Sequence, residues 1–158
     1  MQNQLADTVF RNGLVVTPSG VVEGGVAVFG GKIIAVGRDS SLPAAARQID
    51  LGGKHLLPGL VDPEAHFGNH RPLARDFETE TRAAAASGVT TWGLQLSSVA
   101  ITGTAAQVHG PGDIPAFSQA MPSFLQAGRS SLIDYFLTPI VTTDNHMEEI
   151  PNLLTNTA

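Results

Sequence analysis

The feature that most constrains the fold is a change of pattern at Pro58 and Gly59. Beyond this point the apolar runs follow the order strand, helix, strand, helix, strand, helix, with glycine or polar residues between them. This order is typical of βαβ units, in which parallel strands are buried on both faces and therefore read as continuous apolar runs. The sequence thus predicts about three such units and an α/β fold.

The elements of this second part can be placed approximately. The predicted strands are residues 59–67, 89–96 and 132–141. The predicted helices are residues 76–87, 116–127 and 143–154. Asp76 is the expected N-cap of the first helix and Gly88 its expected C-terminal cap. The expected inner face of that helix consists of small or apolar side chains, namely Phe77, Thr81, Ala84 and Ala85.

Residues 1–57 have a different pattern, in which short apolar runs alternate with glycine turns. The predicted strands are residues 8–17, 21–29, 32–37 and 48–57. Glycine pairs at 30–31 and 52–53 indicate tight turns, the second of which breaks the last strand. A sheet this small has edges that other structure must cover, and no long helix is predicted in this part.

Length and composition set limits on the fold. Hydrophobic residues make up 42% of the 158 residues and charged residues only 15%, which is sufficient for a buried core and unlike a disordered chain. A complete (β/α)8 barrel needs about 250 residues, so the chain is too short to form one.

Charge and residue usage exclude several functional classes. A net charge of −5 disfavours binding to the phosphate backbone of nucleic acids. Because the chain has no cysteine, a metal would have to be held by His, Asp, Glu or a modified Lys. The polar N-terminus and the lack of a long apolar run disfavour secretion and membrane spanning. We therefore expect a cytoplasmic protein with neither nucleic-acid nor membrane partners.

Three polar residues at the end of the predicted strand 59–67 are the main functional candidates. Asp62, Glu64 and His66 are spaced by two, so on a strand they share one side. This position corresponds to the C-terminal end of a parallel strand, where α/β barrels place their active sites. Glu64 and His66 are therefore candidate metal ligands, and Asp62 is expected to brace the strand end or the metal site through hydrogen bonds. The simpler alternative is a polar strand end that is hydrogen-bonded within a loop.

The sequence resembles a known family around this motif. Residues 50–67, DLGGKHLLPGLVDPEAHF, and residues 76–91, DFETETRAAAASGVTT, are similar to the start of the barrel in cyclic amidohydrolases of the dihydropyrimidinase and hydantoinase group. The resemblance extends more loosely to the N-terminal sheet and to residues 134–154. It implies an N-terminal fragment: strands of a small β-sandwich in residues 1–57, and the first βα units of a truncated (β/α)8 metal-dependent hydrolase barrel in residues 58–158.

The same resemblance implies a chemistry. Family members hydrolyse a cyclic amide with two divalent metals, usually zinc, which are bridged by a carboxylated lysine and a hydroxide. His66 matches the second histidine of the family's His-x-His pair, and Glu64 occupies the place of the first. A carboxylate there adds negative charge and weakens the metal as a Lewis acid. The bridging lysine, the later histidines and the catalytic aspartate are expected beyond Ala158, since Lys32 and Lys54, the chain's two lysines, lie in the sheet region.

Three functions follow from these observations. The first is the N-terminal part of a cyclic-amide hydrolase that acts on a hydantoin, dihydropyrimidine or related ring, forms homo-oligomers at full length and is inactive as this chain. The second is a non-catalytic homologue that serves as an assembly scaffold. The third is a small α/β binding domain. A dihydroorotase is disfavoured because Gly68 stands where those enzymes place a substrate-binding arginine.

The remaining candidates carry weaker signals. Trp92 and Gln95, near the end of the predicted strand 89–96, are candidates to line a pocket. The other histidines are not assigned to a site. His55 is expected at the surface or in the sheet, and His109 in a turn. His146 is expected in the first turn of the last helix. His70 is expected to be solvated in the loop above the strand end, where it could approach a ligand.

Overall fold

The computed structural model describes residues 5–96 and 114–155. The chain divides into two compact units, Met1–Pro58 and Gly59–Ala158.

The first unit is a small mixed sheet. Its elements in chain order are β1 (Ala6–Thr17), β2 (Gly20–Phe29), β3 (Lys32–Gly37), a 3-10 turn (Asp39–Ser41), β4 (Ala45–Asp50) and β5 (His55–Leu56). The strand order is β3-β2-β1-β4, and β5 also pairs with β1. The consecutive hairpins β1–β2 and β2–β3 are antiparallel, whereas β4 and β5 run parallel to β1. Ala6, Val9 and Ala27 form the core of this unit.

The predicted strand 48–57 is split into β4 and β5 by a glycine turn. The Asp50 carboxylate at the end of β4 accepts hydrogen bonds from the Gly52 N–H at 2.8 Å and from the Asn12 side-chain amide at 2.7 Å. The Gly52 hydrogen bond, followed by the Asn12 bond, lowers the pKa of Asp50. The aspartate therefore fixes the turn as an ionised acceptor.

The second unit alternates strands and helices. Its elements are β6 (Leu60–Ala65), α1 (Leu73–Ala86), β7 (Val89–Leu96), α2 (Phe117–Gly128), β8 (Asp134–Pro139) and α3 (Asp144–Thr155). The three strands form a parallel sheet in the order β6-β7-β8. The predicted α/β alternation is thereby confirmed. None of the helices within residues 5–96 and 114–155 combines the length and apolar character that crossing a bilayer requires.

Aromatic side chains dominate the core of the second unit. The Phe67 ring packs edge-on against Phe77 and Trp92, with ring centroids 5.0 and 5.2 Å apart. Such pairs each add about 0.5–1.5 kcal/mol beyond the burial of their surface. The expectation that every strand is buried on both faces is wrong for the outer strands, because Val61 of β6 is 61% exposed and Phe136 of β8 is 48% exposed.

The start of α1 differs from the prediction. The helix begins at Leu73, with Pro72 at the N-cap, so Asp76 is not the N-cap but lies in the first turn. Proline suits a helix start because its missing N–H would have no intrahelical partner there. The Asp76 carboxylate is buried and accepts a hydrogen bond from the Gly68 N–H at 2.8 Å, so it fixes the loop after β6 instead.

The inner face of α1 is narrower than predicted. Phe77, Thr81 and Ala84 are buried, but Ala85 is exposed. At about 100° per residue, Ala85 lies about 80° around the helix from Phe77, at the edge of the buried stripe.

A carboxylate from α3 caps the N-terminus of α2. Glu149 accepts hydrogen bonds from the N–H groups of Phe117 at 2.6 Å and Ser118 at 3.1 Å. The first N–H groups of a helix have no intrahelical acceptor, so this contact satisfies two of them. Burial opposes ionisation of Glu149, but the hydrogen bonds from Ser118 and Phe117, with His146 nearby, lower its pKa overall. His146 is itself buried and stacks on the Phe117 ring at 4.2 Å.

Gly93 allows β6 and β7 to approach each other beside a bulge at Pro63. A Cβ at Gly93 would overlap the Pro63 carbonyl oxygen and come within 2.8 Å of the Phe136 ring. The β6–β7 register shifts between Asp62 and Ala65, where Pro63 has no N–H to donate to the ladder. A side chain at position 93 would therefore separate the two strands.

We expect Gly93→Ala to destabilise the second unit by about 3 kcal/mol, the upper end of typical overpacking costs. Gly88→Ala serves as the control, because Gly88 has φ +86° but open space around it. That control should cost only about 1 kcal/mol of backbone strain. Urea unfolding followed by the fluorescence of Trp92, the sole tryptophan, measures both changes. A smaller cost for Gly93→Ala than for Gly88→Ala would contradict the steric argument.

Glu149 should make the second unit less stable in acid. Because its folded pKa lies below the ordinary value of 4.5, the ionised carboxylate stabilises the fold at and above that pH, and the contribution is lost as pH falls through the lowered pKa. Glu149→Gln should therefore lower stability at pH 7, and the difference from wild type should shrink below pH 4.5. Urea unfolding at several pH values tests this, with the exposed neighbour variant Glu148→Gln as control. A difference that does not change with pH would contradict it.

Candidate metal centre

Glu64 and His66 lie together at the C-terminal end of β6. The Glu64 Oε1 atom is 3.6 Å from the His66 Nε2 atom, and the two side chains are 67% and 50% exposed. Because both side chains lie on the same side of the strand end, the carboxylate and the imidazole are close together. Their role as metal ligands stays a prediction.

Side chains of the neighbouring strand hold the carboxylates of β6. Gln95 of β7 donates from Nε2 to Glu64 Oε1 at 2.8 Å. Trp92 of β7 donates from Nε1 to Asp62 Oδ2 at 3.1 Å, and the other Asp62 oxygen accepts from the Glu64 N–H at 3.1 Å. Asp62 thus makes hydrogen bonds at the strand end, while Trp92 and Gln95 each contact a carboxylate. The spacing of polar residues along the chain does not predict these pairs, although the parallel order of the two strands places their ends at the same edge.

An open pocket adjoins His66. Its volume is about 430 Å³. It is lined by His66, Asn69, His70, Arg71, Asp76 and Glu80. His70, which the sequence analysis assigned to solvent, is exposed but shares this pocket with His66. Arg71 lies 3.4 Å from Glu80, so its charge is partly balanced.

The donor set fits a divalent metal but is incomplete. Zinc accepts imidazole and carboxylate ligands and usually takes four in tetrahedral geometry. Within residues 5–96 and 114–155, no group of three or more His, Asp or Glu residues is placed to hold a metal. Among the described residues, Glu64 and His66 therefore represent two of the ligands that such a site needs. Lys32 and Lys54 belong to the other unit.

The other histidines have different environments. His109 lies outside the described residues. His55 is exposed on β5. His146 is 1% exposed, its Nε2 atom is 3.0 Å from the Pro115 carbonyl oxygen, and its Nδ1 atom accepts from the Thr142 N–H at 3.2 Å. This imidazole therefore has a structural role in joining α3 to the start of α2.

Comparison with known proteins identifies relatives of the chain. No protein-family model matches it. The chain is 42% identical to the allantoinase of Streptomyces avermitilis over 113 residues, which covers 70% of the chain and 25% of that protein. It is 36% identical over 87 residues to the L-hydantoinase of Paenarthrobacter aurescens, which covers 54% of the chain and 19% of that protein. The chain is a homologue of allantoinases and hydantoinases.

Solved structures of hydantoinases support this relationship. The L-hydantoinase (dihydropyrimidinase) from Arthrobacter aurescens superposes with a TM-score of 0.73 at 27% identity, covering 96% of this chain and 31% of that one. The resemblance to cyclic amidohydrolases is thereby confirmed. The chain spans about a quarter of the length of the allantoinase that it matches.

The buried Asp76 should stabilise the loop that follows His66. Asp76→Ala leaves the Gly68 N–H without its acceptor, and a hydrogen bond to a charged group contributes about 1.5–3 kcal/mol. We expect a loss of stability of this size in urea unfolding, and a smaller loss for Asp76→Asn, which keeps a carbonyl acceptor. The exposed Asp134→Ala is the control. Equal effects of Asp76→Ala and Asp134→Ala would contradict the assignment.

Proposed function

We propose that this chain contributes part of the active site of a metal-dependent hydrolase that cleaves C–N bonds in cyclic amides. The observation that carries the proposal is the 3.6 Å contact between Glu64 and His66 at the C-terminal end of a parallel strand. That edge is where α/β enzymes bind their ligands. The names of the relatives, allantoinase and L-hydantoinase, support a ring amide as the substrate.

We further propose the architecture that this function implies. Residues 58–158 would form the first βα units of a (β/α)8 barrel, and residues 1–57 would supply strands of a small β-sandwich. The parallel β6-β7-β8 sheet with intervening helices supports the first assignment. The small sheet with β3 at its edge supports the second.

The metal in this proposal is a divalent cation, zinc in the first instance, held here by Glu64 and His66. When bound, it supplies Lewis-acid polarisation of the amide carbonyl and favours the ionisation of water. The chain itself supplies the two ligands and fixes Glu64 through Gln95. Asp62 fixes the backbone at Glu64 by accepting a hydrogen bond from the Glu64 N–H. The pocket of about 430 Å³ beside His66 is within the usual size range for small-molecule sites.

The substrate class in this proposal is a hydantoin, allantoin or dihydropyrimidine ring. The complete enzyme is proposed to act in the cytoplasm as a homo-oligomer, without nucleic-acid or membrane partners. The net charge of −5 supports the absence of nucleic-acid partners. The absence of cysteine supports the reducing environment of the cytoplasm.

A second function is an assembly scaffold without catalysis. The observation that favours it is Glu64 itself, because a carboxylate in the place of a histidine adds negative charge at the metal and makes it a weaker Lewis acid. The two functions differ in whether residues 64 and 66 hold a metal.

A zinc titration and a chimera separate them. We expect the chain to bind Zn²⁺ weakly in calorimetry, His66→Ala to abolish binding, and Glu64→His to strengthen it by about tenfold or more, because imidazole is the better matched ligand. The chain alone should not hydrolyse hydantoin or allantoin. A chimera in which it replaces the matching part of the Paenarthrobacter L-hydantoinase should open a ring amide, and the same chimera with His66→Ala should not.

A folded chimera that binds no metal and opens no ring, while Glu64→His restores both properties, would favour the scaffold. Circular dichroism and size-exclusion chromatography establish that each chimera is folded. Tight stoichiometric zinc together with ring opening by the chain alone would contradict the expectation of an inactive chain.

A further inference from the structure

Gln95 occupies a position from which it can orient one of the two candidate ligands. Its Nε2 atom donates to Glu64 Oε1 at 2.8 Å, and that same oxygen faces His66 Nε2 at 3.6 Å. We propose that Gln95 is a positioning residue that holds the Glu64 carboxylate beside His66 and thereby sets the affinity of the centre for a divalent cation. This inference rests on the proposed metal centre.

Glu64 needs such a partner because it is largely exposed. Its side chain is 67% accessible, and a free glutamate has several rotamers whose loss on ordering is entropically unfavourable. The affinity of a metal for an unrestrained carboxylate would be reduced by this loss of entropy. The hydrogen bond from Gln95 restricts the carboxylate before a cation arrives, in the way that outer partners commonly orient metal ligands.

The backbone of Gln95 is a rigid base for this contact. It lies on β7, the central strand, which is paired with β6 on one side and β8 on the other. Its neighbours Leu94 and Leu96 are both fully buried, so the side chain of Gln95 lies on the opposite face of the strand. A group that is anchored on a central strand positions its partner more accurately than one on a loop.

The amide of glutamine suits this role. It donates a hydrogen bond to the carboxylate without carrying a positive charge. A lysine or arginine at the same place would pair with Glu64 and compete with a cation for it. A neutral donor leaves the negative charge of Glu64 available to the metal.

The contact to Asp62 has a different consequence. Trp92 and the Glu64 N–H engage both carboxylate oxygens of Asp62, so this residue fixes the backbone of the strand end. Gln95 contacts the candidate ligand directly. Trp92 thus helps to order the strand end, whereas Gln95 orders the candidate ligand.

The test measures Zn²⁺ affinity by calorimetry and the visible spectrum of bound Co²⁺ in the 158-residue chain. Gln95→Met keeps the length of the side chain but removes the donor, and should weaken Zn²⁺ binding by about 10- to 100-fold and change the Co²⁺ spectrum. Gln119→Met, the same substitution at an exposed position on α2, is the matched control and should leave affinity unchanged. If Gln95→Met does not fold, Gln95→Asn, whose amide is too short to reach Glu64, replaces it with the same expectation.

A double-mutant cycle separates positioning from a general structural effect. If Gln95 acts through the Glu64 carboxylate, then Gln95→Met should change affinity by less than about twofold in a Glu64→His background, which keeps two ligands but lacks the carboxylate, since interacting residues are non-additive. An equal loss in both backgrounds would overturn the inference, and so would wild-type affinity in Gln95→Met. Failure of the wild-type chain to bind either cation would overturn both the proposed metal centre and this role, whereas binding that is insensitive to Gln95 would overturn this role alone.

Discussion

The close pairing of β6 with β7 is the constraint on which the candidate site depends. Gly93 lets the two strands meet at the bulge around Pro63, where a Cβ would overlap the Pro63 carbonyl oxygen. Without that approach, Gln95 could not reach Glu64 and Trp92 could not reach Asp62. A backbone contact therefore determines the orientation of the candidate site residues.

The sequence predicted the parts that depend on local pattern. β7 occupies residues 89–96 as predicted, and α2 is displaced by only one residue, because buried strands and amphipathic helices leave periodic signals. The spacing of Glu64 and His66 likewise indicated that the two side chains would share one side. Whether the two residues hold a metal stays a prediction.

The parts that the sequence did not predict depend on contacts between distant residues. Asp76 has the chemistry of an N-cap, but the fold places it against the Gly68 N–H, eight residues away. Glu149 and His146 join α3 to the start of α2 across about thirty residues of chain, as in the Glu149–Phe117 contact. No periodic signal marks such pairs, because each residue alone is equally compatible with an exposed position.

Two side chains, those of His66 and Gln95, contact the carboxylate of Glu64. A carboxylate that faces only an imidazole could serve as a simple ion pair on an exposed strand end, where such pairs contribute about 0–1 kcal/mol. The hydrogen bond from Gln95 adds a second restraint on the same oxygen, so two residues from two elements hold one exposed side chain in place. Because ordering an exposed glutamate costs rotamer entropy and a surface pair returns little stability, this arrangement is poorly explained by folding alone. In the proposed metal centre, a divalent cation would use this ordered carboxylate.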